Sequence, residues 1–187
     1  MTINRENSMW TFRRALEKDA AQLGELAQKI FYDTFARFNT SDDMAMYCAE
    51  AFTPAAMTDA IREPMTEIIV AEENDRMIAY AQLHRDEAPP GVKGSSPIEV
   101  KRFYVLGEWH GRGLAQEMMR EITRRSIEQG SDVLWLGVWE HNPRAIGFYR
   151  KLGFEEIGEQ PFLLGTDWQR DLIMAIPLDR PHSPSAT

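Results

Sequence analysis

An apolar run ending at Val105 is followed six residues later by Gly111-Arg-Gly113, and a helical pattern then covers Gln116 to Gln129. This order of parts constrains the fold more than any other feature of the chain. An apolar strand must deliver the backbone to a turn. The glycines, free of Cβ, let that turn bring successive N–H groups towards one point. The first N–H groups of the following helix have no partner inside it, and its dipole favours negative charge there. Strand, glycine turn and helix together make an anion cradle, suited above all to phosphate.

The spacing argues against two other phosphate loops. A P-loop requires Gly-x-x-x-x-Gly-Lys-Ser/Thr, and no Lys-Ser/Thr follows here. A dinucleotide fold requires a third glycine where Gln116 stands, and places its loop after the first strand rather than past mid-chain.

A second segment, Val133 to Phe154, narrows the reading. Val133 to Val138 is almost continuously apolar, the pattern of a strand buried on both faces. Asn142 is a good helix N-cap, and Pro143 falls at the first helical position, where its missing N–H costs little. Ala145, Phe148, Tyr149 and Leu152 share one helical face, and Gly153 suits a left-handed C-cap.

On these two segments the chain resembles the GCN5-related N-acetyltransferases, which move an acetyl group from acetyl-CoA to an amine. Their pyrophosphate loop, Gln/Arg-x-x-Gly-x-Gly/Ala, reads His110-Gly111-Arg112-Gly113-Leu114-Ala115 here, departing only at His110. Asn142, Ala145, Phe148-Tyr149 and Leu152-Gly153-Phe154 match the second signature. The resemblance spans about residues 10 to 177. It implies an α/β fold with a mixed, mostly antiparallel sheet of six to seven strands flanked by helices. The two central strands, Ile98–Val105 and Val133–Val138, are expected to splay.

The resemblance also implies acetyl-CoA as co-substrate, no metal, and direct transfer in a ternary complex. The cofactor-binding residues expected are Phe103, Tyr104 and Val105 through their backbone, the loop from His110 to Ala115, Asn142 and Tyr149. Arg112 is placed for a phosphate charge. Tyr149 is the expected acid beside the thioester sulfur, since a phenol is neutral at pH 7 and has a proton to give. Glu99 is the expected base. With period two it shares a strand face with Lys101, Phe103 and Val105 unless a bulge intervenes. A base is needed because an alkylamine, with a reference pKa near ~10.4, is mostly ammonium at neutral pH.

A narrower similarity, to bacterial spermine/spermidine acetyltransferases, rests on Phe35 to Asn39, Asp43-Met44 and Tyr47, then Gly165 to Met174. It implies a polyamine acceptor. The net charge of −8 and the acids Asp33, Asp42 and Asp43 fit a cationic substrate. A peptide or protein N-terminus, another small amine, and a non-catalytic acyl-CoA sensor are the alternatives.

The 187 residues suit one domain with a substantial core. The expected division is an N-terminal segment at 1–9, the acetyltransferase domain at 10–177 and a loose, proline-containing tail at 178–187. No basic patch with interleaved aromatics argues for nucleic acid, and no apolar stretch nears the ~18 residues of a membrane helix. Cys48 is the single cysteine and reads as a small core residue. A cytoplasmic location follows, and a homodimer is compatible with the sequence. His84, His141 and His182 lack metal-ligand spacing.

Elsewhere the pattern predicts a first strand over 10–16, a helix capped by Asp19, and a second helix opening at 39–42. A third helix runs from Thr53-Pro54 to Arg62. Strands are predicted over 68–71, 77–83, 98–105, 154–157 and 171–176.

Overall fold

The computed structural model describes residues 9–178. Seven strands form one sheet in the order β1-β2-β3-β4-β5-β7-β6. They are β1 (Thr11–Arg14), β2 (Thr66–Glu73), β3 (Arg76–His84), β4 (Pro97–Val105), β5 (Val133–Trp139), β6 (Glu155–Leu164) and β7 (Asp167–Pro177). Only β4 and β5 pair in parallel. The helices are α1 (Ala20–Phe35), α2 (Ser41–Ala51), α3 (Pro54–Arg62), α4 (Leu114–Glu128) and α5 (Pro143–Lys151). This is the mixed, mostly antiparallel α/β architecture expected from the sequence.

Local chemistry explains most of the boundaries. Thr40 and Thr53 each accept a hydrogen bond from the backbone N–H three residues on, starting α2 and α3. Asn74 and Asp75 both have positive φ, the two-residue turn that matches strand twist and joins β2 to β3. Asp19 does not cap α1. Its carboxylate accepts from the Leu16 N–H at 2.7 Å and from Arg13 at 2.6 Å, serving the short 3-10 turn before the helix.

The last two strands are longer than predicted. The predicted strand stops at Ile157, before the polar, proline-containing Gly158-Glu-Gln-Pro161. β6 is the outermost strand, however, where proline and exposed polar residues cost no ladder bond. Leu178 is buried, and its N–H donates to the Asp132 carbonyl at 2.8 Å. Residues 1–8 and 179–187, including His182, lie outside the described residues.

The sheet has two differently dressed faces. Phe31 of α1 meets Tyr104 of β4, while Phe35 and the following Phe38 meet Trp139 of β5. On the opposite face Phe103 stacks on Phe148 of α5 at 5.8 Å. Cys48 is buried, and burial pushes its thiol up, as suits a core residue. Among the described residues, no helix is long and apolar enough to cross a membrane.

Candidate active site

β4 and β5 pair only at Pro97–Val133, Ile98–Leu134 and Glu99–Trp135, and then diverge. β4 remains paired to β3 as far as Val105, and β5 to β7 as far as Trp139. The facing edges of the V therefore carry backbone groups with no partner strand, from Val100 to Val105 on one side and from Leu136 on the other. A cleft of about 340 Å³ fills the V. Its lining includes Phe103, Phe148 and Tyr149 from the α5 face and Arg102, Trp139 and Asp171 from the α1 face. The V is thus a passage through the sheet, open to one reactant from each side.

The cradle stands at the α5 side of this passage. Gly111 and Gly113 have φ of +75° and +89°, and Gly113 caps α4. A Cβ at either would meet no protein atom within 4 Å, so the space above the loop is open to a ligand. The next hydrogen bond, Glu117 N–H to the Gly113 carbonyl, leaves the N–H groups of Leu114, Ala115 and Gln116 without helical partners. His110 and Ala115 line the cleft, and Leu114 is fully buried beneath the loop.

His110, the departure from the signature, bridges the loop to α5. Its Nε2–H donates to the Val105 carbonyl at 2.9 Å, which leaves Nδ1 to accept from Arg144 at 2.7 Å. Burial and the Arg144 charge both hold the imidazole below its usual pKa, keeping it neutral. Arg144, unremarked in sequence, is thereby fixed at the rim of the cradle. Arg112 instead lays its guanidinium over the Trp109 ring, 5.0 Å from the centroid, and is not part of the cleft lining. Asn142 accepts from the Ala145 N–H at 3.2 Å and lines the cleft, and its amide N–H₂ has no acceptor among the described residues.

Tyr149 is 7% exposed, with its ring edge-on to Phe103 and inclined to Phe154. Burial drives its phenol up, so it stays protonated. No protein group among the described residues hydrogen-bonds its hydroxyl, which belongs to a cleft-lining side chain.

Glu99 sits elsewhere than its spacing suggested. Leu83 pairs with Val100 but Gln82 with Arg102, so Lys101 is an extra residue in β4. The bulge reverses the alternation. Glu99 consequently shares its face with Arg102 and Tyr104, not with Phe103 and Val105. It lies in the closed end of the V, opposite Trp135, outside the cleft lining. Burial raises its pKa, with Lys101 pulling the other way.

A different carboxylate lines the cleft. Asp171 pairs with Trp139 at the open end of β5. Gly137 lies against it: a Cβ there would stand 3.1 Å from Asp171 Oδ2 and 2.7 Å from Gln160 Nε2, so the glycine leaves room for both side chains. No hydrogen bond or ion pair holds this carboxylate among the described residues, and burial alone pushes its pKa up to about 6. The sequence does carry the signal. Asp171, Ile173 and Ala175 alternate along a strand, so the acid occupies an inward position.

Two stretches far apart in sequence close the α1 side. Asp43 accepts from the Thr166 N–H at 2.6 Å and its hydroxyl at 2.8 Å, and Gln169 donates to Asn39 at 2.6 Å. The β6–β7 turn is thereby clasped to the start of α2. This commits Asp43 to structure, while Asp33 pairs with Lys29 on the exposed side of α1. Neither supplies a free acid to the cleft.

Comparison with known proteins agrees with this geometry. A model of the family described as acetyltransferase (GNAT) matches residues 22–154. An uncharacterized N-acetyltransferase encoded in the pepI 3′ region of Lactobacillus delbrueckii subsp. lactis is 28% identical over 158 residues, covering 84% of this chain and 91% of that protein. The paiA N-acetyltransferase of Thermoplasma acidophilum, solved in complex with coenzyme A, superposes with a TM-score of 0.74 at 18% identity, covering 90% of this chain and 98% of that one. The yncA putative acetyltransferase of Salmonella typhimurium, solved with acetyl-CoA, gives 0.63 at 22% identity, covering 96% and 100%. At these identities the two structures speak for the fold.

Proposed function

Since this chain belongs to the acetyltransferase (GNAT) family, we propose that its cleft carries acetyl from acetyl-CoA to a small primary amine, with Tyr149 and Asp171 as the proton-handling groups. The chain is an acetyl-CoA-dependent N-acetyltransferase; the roles of its residues are our reading. The observation that carries the reading is the passage between β4 and β5. It joins a phosphate cradle on one face to a lone carboxylate on the other, with a buried phenol between.

The residues fit the cofactor. The open space above Gly111 and Gly113, the free N–H groups opening α4, and Arg144 at the rim suit a pyrophosphate. The unpaired edge of β4 from Phe103 to Val105 suits the amides of a pantetheine arm, which can add like a strand. Bound there, acetyl-CoA supplies the acetyl group as a thioester. Asp171 takes the proton from the incoming ammonium. Its raised pKa brings the carboxylate closer to the ammonium than an exposed aspartate would be, and the aromatic walls disfavour the charged amine. Tyr149 donates a hydrogen bond to sulfur as charge develops there. Glu99, deeper in the V, is the alternative base. Cys48, buried in the core, takes no part.

The acceptor is a small molecule rather than a folded partner in this reading, and the family likeness of the sequence makes spermidine one of the amines to assay. The cytoplasm, where the substrate pool lies and an unpaired thiol is stable, is the proposed location.

A panel of amines assayed for free-thiol release with acetyl-CoA tests the activity. Turnover with at least one primary amine is expected; none, with acetyl-CoA binding intact by calorimetry, would overturn the reading. Two substitutions refine it. Gly113→Val forces a branched residue to φ +89° and sets a Cβ in the phosphate path. With left-handed strain of about 1–3 kcal/mol, acetyl-CoA affinity should fall by roughly tenfold to a hundredfold. An unchanged calorimetric Kd in a folded variant would remove the cradle from the account. Glu99→Gln should alter kcat/KM by less than about threefold, since removing a group outside the reacting geometry costs little. A loss of a hundredfold would return the base role to Glu99.

A further inference from the structure

The α1 side of the passage holds two opposite charges that have no ion-pair partner among the described residues. On the β4 wall, Arg102 lines the cleft half-buried. Its Nη1 donates to Gln82 Oε1 at 2.9 Å, and its guanidinium lies 5.1 Å from the centre of the Phe52 ring. No carboxylate among the described residues pairs with it. A further hydrogen bond joins it to Tyr47; the fork has five donors, so these neutral partners leave donors over for a carboxylate. Lys101, the bulge residue, brings a second cation to the same wall. On the other wall, beyond Gly137, stands Asp171, which likewise has no counter-ion.

Three other arginines are each matched by two carboxylates. Arg13 is paired with Asp19 and Glu72, Arg125 with Glu67 and Glu121, and Arg170 with Glu140 and Glu159. Half-buried charges that stay unpaired are costly unless something completes them. The cleft that Arg102 and Asp171 line is also lined by the aromatic side chains Phe35, Tyr47, Trp139 and Phe162. Behind Arg102 lies the fully buried Tyr80, whose hydroxyl has no hydrogen-bond partner among the described residues.

Resting on the acetyltransferase reading, we infer that the acceptor is a zwitterion, an α-amino acid with an apolar side chain, whose carboxylate is bound by Arg102 and whose ammonium is bound by Asp171. The guanidinium fork matches a carboxylate in a bidentate manner. The aromatic lining receives the side chain and excludes water. A polyamine meets the wrong charges here, since its first ammonium would satisfy Asp171 but the next would face Arg102 and Lys101. A monoamine would satisfy Asp171 and leave Arg102 unmatched.

In the reaction, the ammonium loses one proton to Asp171, and the resulting amine forms the C–N bond to the acetyl carbon as the C–S bond breaks. The nitrogen gives up a second proton as the amide forms, and the leaving sulfur takes one proton through Tyr149, which is reprotonated in turn, so the products are the N-acetylamino acid and free coenzyme A. The net proton goes to solvent. Acetylation removes the ammonium and with it the attraction of Asp171, which favours release of the product.

The test compares methionine, leucine and phenylalanine with their decarboxylated amines, their methyl esters and spermidine, by thiol release with acetyl-CoA. Isothermal calorimetry of the same compounds with the coenzyme A complex gives a second readout. At least one amino acid is expected to exceed its decarboxylated partner in kcat/KM by about a hundredfold, in keeping with loss of a charge-assisted contact, and to bind where the ester does not. In Arg102→Gln the ratio of amino acid to amine should fall towards one, and Arg102→Lys should restore part of it. Spermidine or a decarboxylated amine outrunning every amino acid would overturn the inference and leave acetyl transfer to amines standing. A ratio unchanged in a folded Arg102→Gln variant would equally overturn it. No turnover with any compound, acetyl-CoA still binding, would instead sink the acetyltransferase reading on which it rests.

Discussion

Asp171→Asn should abolish most turnover while making the protein harder to melt. The amide has the same shape but cannot take a proton, and loss of a general base lowers rate by about 10²- to 10⁴-fold. The stability gain follows from the sign of the pKa shift. The folded carboxylate titrates at about 6, above the ordinary aspartate value of 3.8. Its contribution to stability is present below the unfolded value and is lost as pH rises through 6, because the buried anion then opposes folding. Asparagine removes that cost, so Tm at pH 7.5 should rise relative to wild type, and the difference should vanish near pH 4. In wild type, kcat/KM should fall off on the acid side of about pH 6 as the base is protonated, and the residual activity of the variant should lack that limb. Full activity in the variant, or a Tm that drops at pH 7.5, would show a structural aspartate.

Tyr149→Phe should lower kcat by on the order of 10²-fold with little change in acetyl-CoA affinity. The ring packs against Phe103 and Phe154, contacts that phenylalanine keeps. Its hydroxyl holds no hydrogen-bond partner among the described residues, so removing it orphans no group there. The change should therefore fall on kcat rather than on Kd or Tm. A variant that melts several degrees earlier with kcat within twofold of wild type would make the tyrosine a packing residue.

The cradle and the two central strands are legible in the sequence because their chemistry is local. A glycine turn, a cap and an apolar run each act on their own neighbours, and β4, α4, β5 and α5 lie within a residue or two of their predicted bounds. The acceptor side is not local. One inserted residue, Lys101, reverses every later side chain in β4 relative to Glu99, and no periodicity count can detect it. Asp171 and Arg102 look like ordinary polar residues until strand order sets β7 beside β5 and the splay sets β4 across from both. Strand order is decided by tertiary packing. Thr166 and Asp43 show the same limit, being 123 positions apart in the chain and in contact in the fold. The full length of the edge strand β6 is not legible either, because its polar, proline-bearing middle resembles a loop to any rule that weighs composition.

The splay also bears on how this protein holds together in a cell. Three parallel pairs are all that join the β1–β4 half of the sheet to the β5–β7–β6 half through the ladder. A ligand that bridges the facing edges acts as a removable seam. A ligand held at a hundred times its Kd stabilises the folded state by about 2.7 kcal/mol through mass action. Heat resistance should then track the coenzyme A pool: lysates of starved cells should lose the protein at lower temperature than those of fed cells. Amide exchange should slow along Val100–Val105 and Leu136–Trp139 when coenzyme A is added, and remain unchanged in the β2–β3 hairpin. A substitution in the cradle would then register in cells as reduced abundance, although in the purified, ligand-free protein the chain would be no less stable than its parent apart from local strain at the glycine.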